Sequence, residues 1–237
     1  MRIFKISLLF FCLSFIKLNG QALEDYKLWL KYNPVEDAKL GTEYSKIVGY
    51  IYLPDQSDIL KNARAELSAA IPQMLGKEAN YTSELSSRNT LIIDLFENLP
   101  NALKLKVEKE FETTNEEGFL IKTTTYRNSS VTVISAKKEI GILYGVFRFL
   151  HLMQTHEDLK KINLNDSPKI QLRMLNHWDN LDRTVERGYA GFSLWNWQKL
   201  PGYIDERYID YARTNASIGI NAISLTNVNA NALVLTP

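Results

Sequence analysis

The chain has 237 residues, of which 45% are hydrophobic, 23% charged and 11% aromatic. Those fractions are ordinary for a globular protein and exclude a disordered, collagen-like or disulfide-dense chain. Lys and Arg total 28 against 27 Asp and Glu, a net charge of +1, so no charge excess points to nucleic acid or to an anionic membrane surface as partner.

Residues 1–20 read as an export signal. Arg2 and Lys5 precede an uncharged apolar stretch at residues 6–16 (ISLLFFCLSFI), and Gly20 and Ala22 are small residues suited to cleavage. Eleven helical residues reach roughly 16 Å, about half of a ~30 Å hydrocarbon core. An uncleaved anchor or a buried helix are the alternatives. Cys12, the only cysteine, sits mid-stretch without the small residues that a lipid-anchor signal places before its cysteine. Cleavage leaves 25 basic and 27 acidic residues, a net charge of −2, and no disulfide or thiol chemistry. The expected location is outside the cytoplasm, in the periplasm or beyond the cell, with no membrane anchoring.

Residues 23–32 (LEDYKLWLKY) open the mature chain with an aromatic-rich segment. Residues 43–53 are expected to form a strand through Ile47, Val48, Ile51 and Leu53, ended by Pro54. Ile59, Leu60, Ala63, Leu67, Ala70, Ile71 and Leu75 recur at helical spacing and predict a helix over 57–75. Ser57 is its N-cap candidate, Gly76 its stop, and Pro72 strains its last turn. Residues 90–96 (TLIIDLF) predict a short buried strand. Residues 104–117 read as a charged linker. Residues 118–126 and 130–136 predict a hairpin around Arg127, Asn128 and Ser129. Residues 137–154 predict a second helix, apolar over most of its surface, in which Gly141 and Gly145 permit close packing. The expectation for 23–160 is therefore a compact α+β domain with a mixed sheet and two helices.

Residues 162–168, with Asn163, Asn165, Asp166, Ser167 and Pro168, have a linker's composition. Beyond them the order changes to a strand at 170–175, a polar and aromatic loop to about 202, a helix at 206–217 closed at Gly219, and a strand at 221–225. Strand, loop, helix, strand suits a parallel sheet or a (β/α)8 barrel. Parallel strands are normally buried on both faces, and a barrel typically needs about 250 residues. The pattern thus predicts a whole small domain at 23–160 followed, from residue 168 to 237, by the opening of a larger, incomplete one.

Asn176, His177, Trp178 and Asp179 lie at the end of the first of these strands, and Asn227, Val228 and Asn229 follow the second. In a barrel, polar residues at a strand's carboxyl end usually belong to the active site. A Trp beside Asn, Asp and His suits a sugar, whose C–H face stacks on the indole while the polar groups bind hydroxyls. The same residues can equally cap loops and pack a core, and amides at strand ends are common for turn reasons alone. The loop 188–203 carries Tyr189, Phe192, Trp195, Trp197 and Tyr203, which suit a sugar cleft, a partner surface or a plug between domains. His151 and His156 are five apart, off a shared helical face, and HExxH, CxxC, P-loop and GxGxxG patterns are missing, so no metal or cofactor is expected. Asp179, Asp182 and Glu186 offer carboxylates, but their spacing selects no acid–base pair.

The segment RMLNHWDNLDRTVERGYAG (173–191) resembles the first barrel strand of the glycoside hydrolase family 67 α-glucuronidases, and YARTNASIGINAISLTNVNA (211–230) resembles that family's next helix and strand. DYKLWLKY (25–32) and residues 116–154 are similar to its N-terminal domain, which is also like the domain preceding the barrel in family 20 hexosaminidases. The resemblance implies a hexosaminidase-like α+β domain followed by the first βα unit and second strand of a truncated (β/α)8 barrel. It implies hydrolysis, with inversion, of α-1,2-linked (4-O-methyl)glucuronic acid on glucuronoxylo-oligosaccharides, without a metal or cofactor. The family's catalytic carboxylates sit on later strands, so no catalytic residue is carried over, and this chain by itself is expected to be inactive. Trp178 looks like the family's sugar-contacting tryptophan, and Val228 resembles the small apolar residue near the methyl group. Asp179, His177 and Asn227 are further matching positions. Arg183, Phe192, Ala222 and Thr226 depart from the family pattern. The family also implies that the full-length protein can form a homodimer. The rival readings are a non-catalytic sugar-binding or docking module using the aromatic loop, and a hexosaminidase-type glycosidase.

Overall fold

The computed structural model describes residues 25–225. The segment expected to direct export, Val228 and Asn227 lie outside them. A kinked 3-10 turn at Asp25–Lys31 leads to helix α1, Ala38–Ile47. Of the strand expected over 43–53, residues 43–47 are thus helix. Only Ile51–Tyr52 (β1) is extended. The Asp37 carboxylate accepts from the amides of Lys39 and Leu40 at 2.8 and 3.0 Å and starts the helix four residues before Gly41 completes its first turn. Leu40, Tyr44 and Ile47 then recur every three or four residues toward the core. The apolar residues of 47–53 mimic strand alternation only because they straddle the helix end.

The helix at 57–75 is present as α2, Asp58–Leu75. Ser57 Oγ accepts from the Leu60 amide, and Gly76 closes the helix at φ 65° with its amide on the Pro72 carbonyl. β2 (Tyr81–Thr82) and β3 (Leu91–Leu95) follow. The expected charged linker at 104–117 is largely helix α3, Asn101–Phe111. Leu103, Val107 and Phe111, four apart, form a narrow buried stripe, and the lysines and glutamates between them conceal it.

The hairpin is present as β4 (Phe119–Tyr126) and β5 (Ser129–Ala136), antiparallel, with Arg127 and Asn128 both at positive φ as a two-residue turn requires. Helix α4, Glu139–Gln154, follows. A Cβ on its Gly141 would lie 2.4 Å from the Gly118 carbonyl oxygen, and one on Gly145 2.8 Å from an Ile134 methyl, so both glycines serve the close approach of helix to sheet. The expected linker at 162–168 instead supplies an edge strand, β6 (Asn163–Asp166), antiparallel to β4. Its sequence, NLND, lacks an apolar pattern. Backbone pairing and the Asn165 side chain, which donates to the Glu110 carbonyl and accepts from Thr114, hold it there.

The six strands form one mixed sheet in the order β2-β1-β3-β5-β4-β6, parallel from β2 through β5. One face, with Leu91, Ile93, Ile121 and Ile134, packs against α2 and α4. The other, with Ile92, Leu120, Val131 and Val133, is covered by α3. Burial on both faces explains why LII in β3 reads as a continuous apolar run. Among the described residues, four α-helices, not two, accompany this sheet.

A second sheet holds two strands, β7 (Met174–Asn176) and β8 (Ala222–Ser224), joined through helix α5, Glu206–Ser217. They are parallel and in direct register, Met174 to Ala222, Leu175 to Ile223 and Asn176 to Ser224. That is the arrangement expected from the strand–loop–helix–strand order.

Charged contacts seat this unit on the six-stranded one. Arg213 on α5 makes a two-pronged contact with Glu66 on α2, Nε to Oε2 at 2.9 Å and Nη2 to Oε1 at 2.7 Å, and a third with Asp210 at 2.5 Å. The Tyr32 hydroxyl donates to the same Glu66 at 2.5 Å. Burial and the Glu66 charge push that hydroxyl's pKa far above its usual value, and the hydrogen bond to Glu66 raises that of Arg213. Arg173, just ahead of β7, contacts Glu117 at 2.5 Å and the Gly219 carbonyl. Trp29 Nε1 donates to Ser217 Oγ at 2.7 Å.

Candidate functional site

The carboxyl ends of β7 and β8 carry the candidate residues. The His177 amide donates to the Ser224 carbonyl at 2.8 Å, so the ladder between the strands reaches His177 before the chain turns away. Past it, residues 179–192 fold back on themselves. The Asn180 side chain donates to Thr184 Oγ1 at 2.9 Å and to the Glu186 carbonyl at 2.7 Å, and the Glu186 amide closes on the Trp178 carbonyl at 2.8 Å. Trp178 therefore has its backbone tied on both sides.

Trp178 is 42% exposed. Its neighbours are less exposed. The His177 ring lies against α5, with Nε2 2.5 Å from the Tyr211 hydroxyl and Nδ1 3.3 Å from Asp179 Oδ1. Asp179 is only 4% exposed. Trp195 completes this pocket of rings, edge-on to His177 and Tyr211 at centroid distances of 6.0 and 5.4 Å and tilted on Tyr208 at 4.8 Å. Burial pushes the Tyr211 hydroxyl pKa upward, a bond from Asn215 opposes it, and the Asp179 charge adds to the rise.

The loop aromatics split. Trp195 is 6% exposed and fills the space between loop and helix, whereas Phe192 at 87% and Tyr189 stand in solvent. Asp182 accepts from the Thr184 hydroxyl and amide, and these bonds hold its carboxyl below the usual pKa. Among the described residues no three His, Cys, Asp or Glu side chains gather as a metal site, and no helix is long and apolar enough to cross a membrane. Two clefts flank the contact between the units. One, of about 450 Å³, is lined by Glu66, Phe147, Ile209 and Arg213. The other, of about 310 Å³, is lined by Trp29, Tyr32, Arg148 and Ser217. Trp178 lines neither.

Tyr211 and Trp195 were not expected to surround His177, nor Glu66 to meet Arg213. Tyr208 and Tyr211, three apart on one helix face, were the available signal for the first. Nothing along the chain links Glu66 to a residue 147 positions away.

The glycosyl hydrolase family 67 N-terminus model matches residues 28–149, and the family 67 middle-domain model matches 152–237. The chain belongs to glycosyl hydrolase family 67. It is 30% identical over 226 residues to a probable alpha-glucuronidase A of Aspergillus oryzae, covering 93% of this chain and 26% of the relative. A probable alpha-glucuronidase A of Aspergillus terreus is 31% identical over 215 residues, covering 88% and 24%. The chain thus spans about a quarter of the length of the curated relatives it matches. Among solved structures it is similar in fold to a family GH115 4-O-methyl-alpha-glucuronidase with specificity for decorated arabinogalactans, with a TM-score of 0.53, 11% identity, and coverage of 76% of this chain and 26% of that one. All five candidate positions, Trp178, Val228, Asp179, His177 and Asn227, fall within the family 67 middle-domain match, as do β6, α5 and Tyr211.

Proposed function

We propose that this chain is the amino-terminal part of an α-glucuronidase that removes α-1,2-linked (4-O-methyl)glucuronic acid from xylo-oligosaccharides, and that β7, α5 and β8 begin its (β/α)8 barrel. The observation that carries this reading is Trp178: a half-exposed indole at the carboxyl end of one of two parallel strands, inside the family 67 middle-domain match. That end of a barrel strand is where substrate sites form, and an indole face suits the C–H face of a sugar. The protein is taken to be exported through its N-terminal segment, with the six-stranded unit, which β6 extends to Asp166, and residues 168–237 as its domains and a homodimer as the full-length assembly.

Inverting hydrolysis needs a carboxylic acid and a carboxylate about 6.5–9.5 Å apart across the sugar. Next to Trp178, Asp179 is buried against His177, and Asp182 is bound by its own loop. This region therefore supplies binding, with acid and base contributed from elsewhere in the enzyme.

The test is the gene's full product incubated with 4-O-methylglucuronosyl xylotriose. Release of the uronic acid, with the β-anomer appearing first by proton NMR, is expected. No release, with cleavage of an aryl N-acetylglucosaminide instead, would favour the hexosaminidase reading.

A further inference from the structure

His177 and Asp179 flank Trp178 and face each other, Nδ1 to Oδ1 at 3.3 Å. The two side chains meet beside the backbone of Trp178. His177 is itself held from three directions. Its amide is on the Ser224 carbonyl, its Nε2 is against the Tyr211 hydroxyl, and its ring is bounded edge-on by Tyr211 and Trp195. Nε2 pairs with the Tyr211 hydroxyl and Nδ1 faces the Asp179 carboxylate. Both ring nitrogens are then engaged within the protein and neither serves a sugar hydroxyl.

We infer that His177, Asp179 and Tyr211 are positioning residues, a clamp that fixes the backbone around residue 178 and so sets the direction in which Trp178 meets the sugar. Helix α5 is part of the site through Tyr211, which touches no sugar. The inference rests on Trp178 being a sugar contact, and it gives His177 and Asp179 a different role from the hydroxyl-binding one that the sequence suggests.

Two measurements separate the clamp from the sugar contact. The chain holds four tryptophans, Trp29, Trp178, Trp195 and Trp197, so 5-fluorotryptophan labelling yields four fluorine resonances, with Trp178 assigned from Trp178→Phe. Tyr211→Phe keeps the ring and removes only the hydroxyl. It is expected to shift or broaden the Trp178 resonance while that of Trp29 holds, and Asp179→Asn is expected to do the same by the other arm. In the gene's full product, Tyr211→Phe should raise KM for 4-O-methylglucuronosyl xylotriose by roughly 5-fold, the size of one net hydrogen bond, with kcat nearly unchanged. In a Trp178→Ala background the same change should move KM by less than about 2-fold, because the residue it acts through is gone. Equal KM effects with and without Trp178 would overturn the clamp, as would an unmoved Trp178 resonance in both variants. Should Trp178→Ala leave KM unchanged, the sugar contact fails while the fluorine spectra still judge the clamp.

Discussion

The contact between Glu66 and Arg213 sets how the β7–α5–β8 unit sits on the six-stranded one, and Arg213→Ala tests it. The change leaves Glu66, 5% exposed along its side chain, without its cation. Breaking a buried pair by removing one partner costs roughly 3–5 kcal/mol. Arg213 is itself 28% exposed, so water reaches the vacated space and the cost falls to or below the floor of that range, about 2–3 kcal/mol. Since about 1.4 kcal/mol is tenfold, the amides of α5, Glu206–Ser217, should exchange roughly 30- to 150-fold faster, while those of β3 to β5 change little. Hydrogen exchange read by mass spectrometry on peptides from both regions is the assay. Adding Glu66→Gln to Arg213→Ala removes the stranded charge and keeps an acceptor for the Tyr32 hydroxyl, so it should recover about 1 kcal/mol. Exchange of α5 within about threefold of the parent, or further loss on adding Glu66→Gln, would refute the reasoning.

Three other outcomes follow from particular contacts. Gly41→Ala and Gly141→Ala should have opposite signs in thermal unfolding. A Cβ at Gly41 finds its nearest atom at 3.9 Å and should stabilise by about 0.5–1 kcal/mol, whereas one at Gly141 meets backbone at 2.4 Å and should destabilise by about 1–3 kcal/mol. Asp94 is buried and its pKa is raised, chiefly by burial, so its ionisation opposes the fold and stability drops as pH rises from the unfolded carboxylate value, about 3.9, through the higher folded one. Asp94→Asn should therefore be more stable than the parent at pH 7 in urea titrations, and the advantage should shrink toward pH 4; a gap constant with pH would contradict this. Ser57→Ala should lower the urea midpoint by the equivalent of about 1 kcal/mol through loss of the cap on the Leu60 amide.

Local order was legible where one short-range rule acted alone. Ser57, the apolar stripe of α2 and Gly76 together specify a helix, and the Arg127–Asn128 turn between two alternating runs specifies a hairpin. The order strand, helix, strand after residue 168 forced a parallel pair, because a right-handed crossover returns the chain in the same direction. The sequence also marked Trp178 by its place after an apolar strand, among polar neighbours.

What the tertiary structure decided were features with no local signature. Residues 104–117 became largely helix because the sheet's second face needed cover, and three residues spaced by four were enough to provide it. Asn163–Asp166 became a strand because β4 presented an open edge, whose amides and carbonyls pair with any backbone whatever its side chains. Glu66 met Arg213, and His177 met Tyr211, only once the chain had folded, since side chains far apart in sequence find each other through packing and not through spacing. For the same reason the chain alone named the residues around Trp178, but only the packing on α5 shows which way each of them faces.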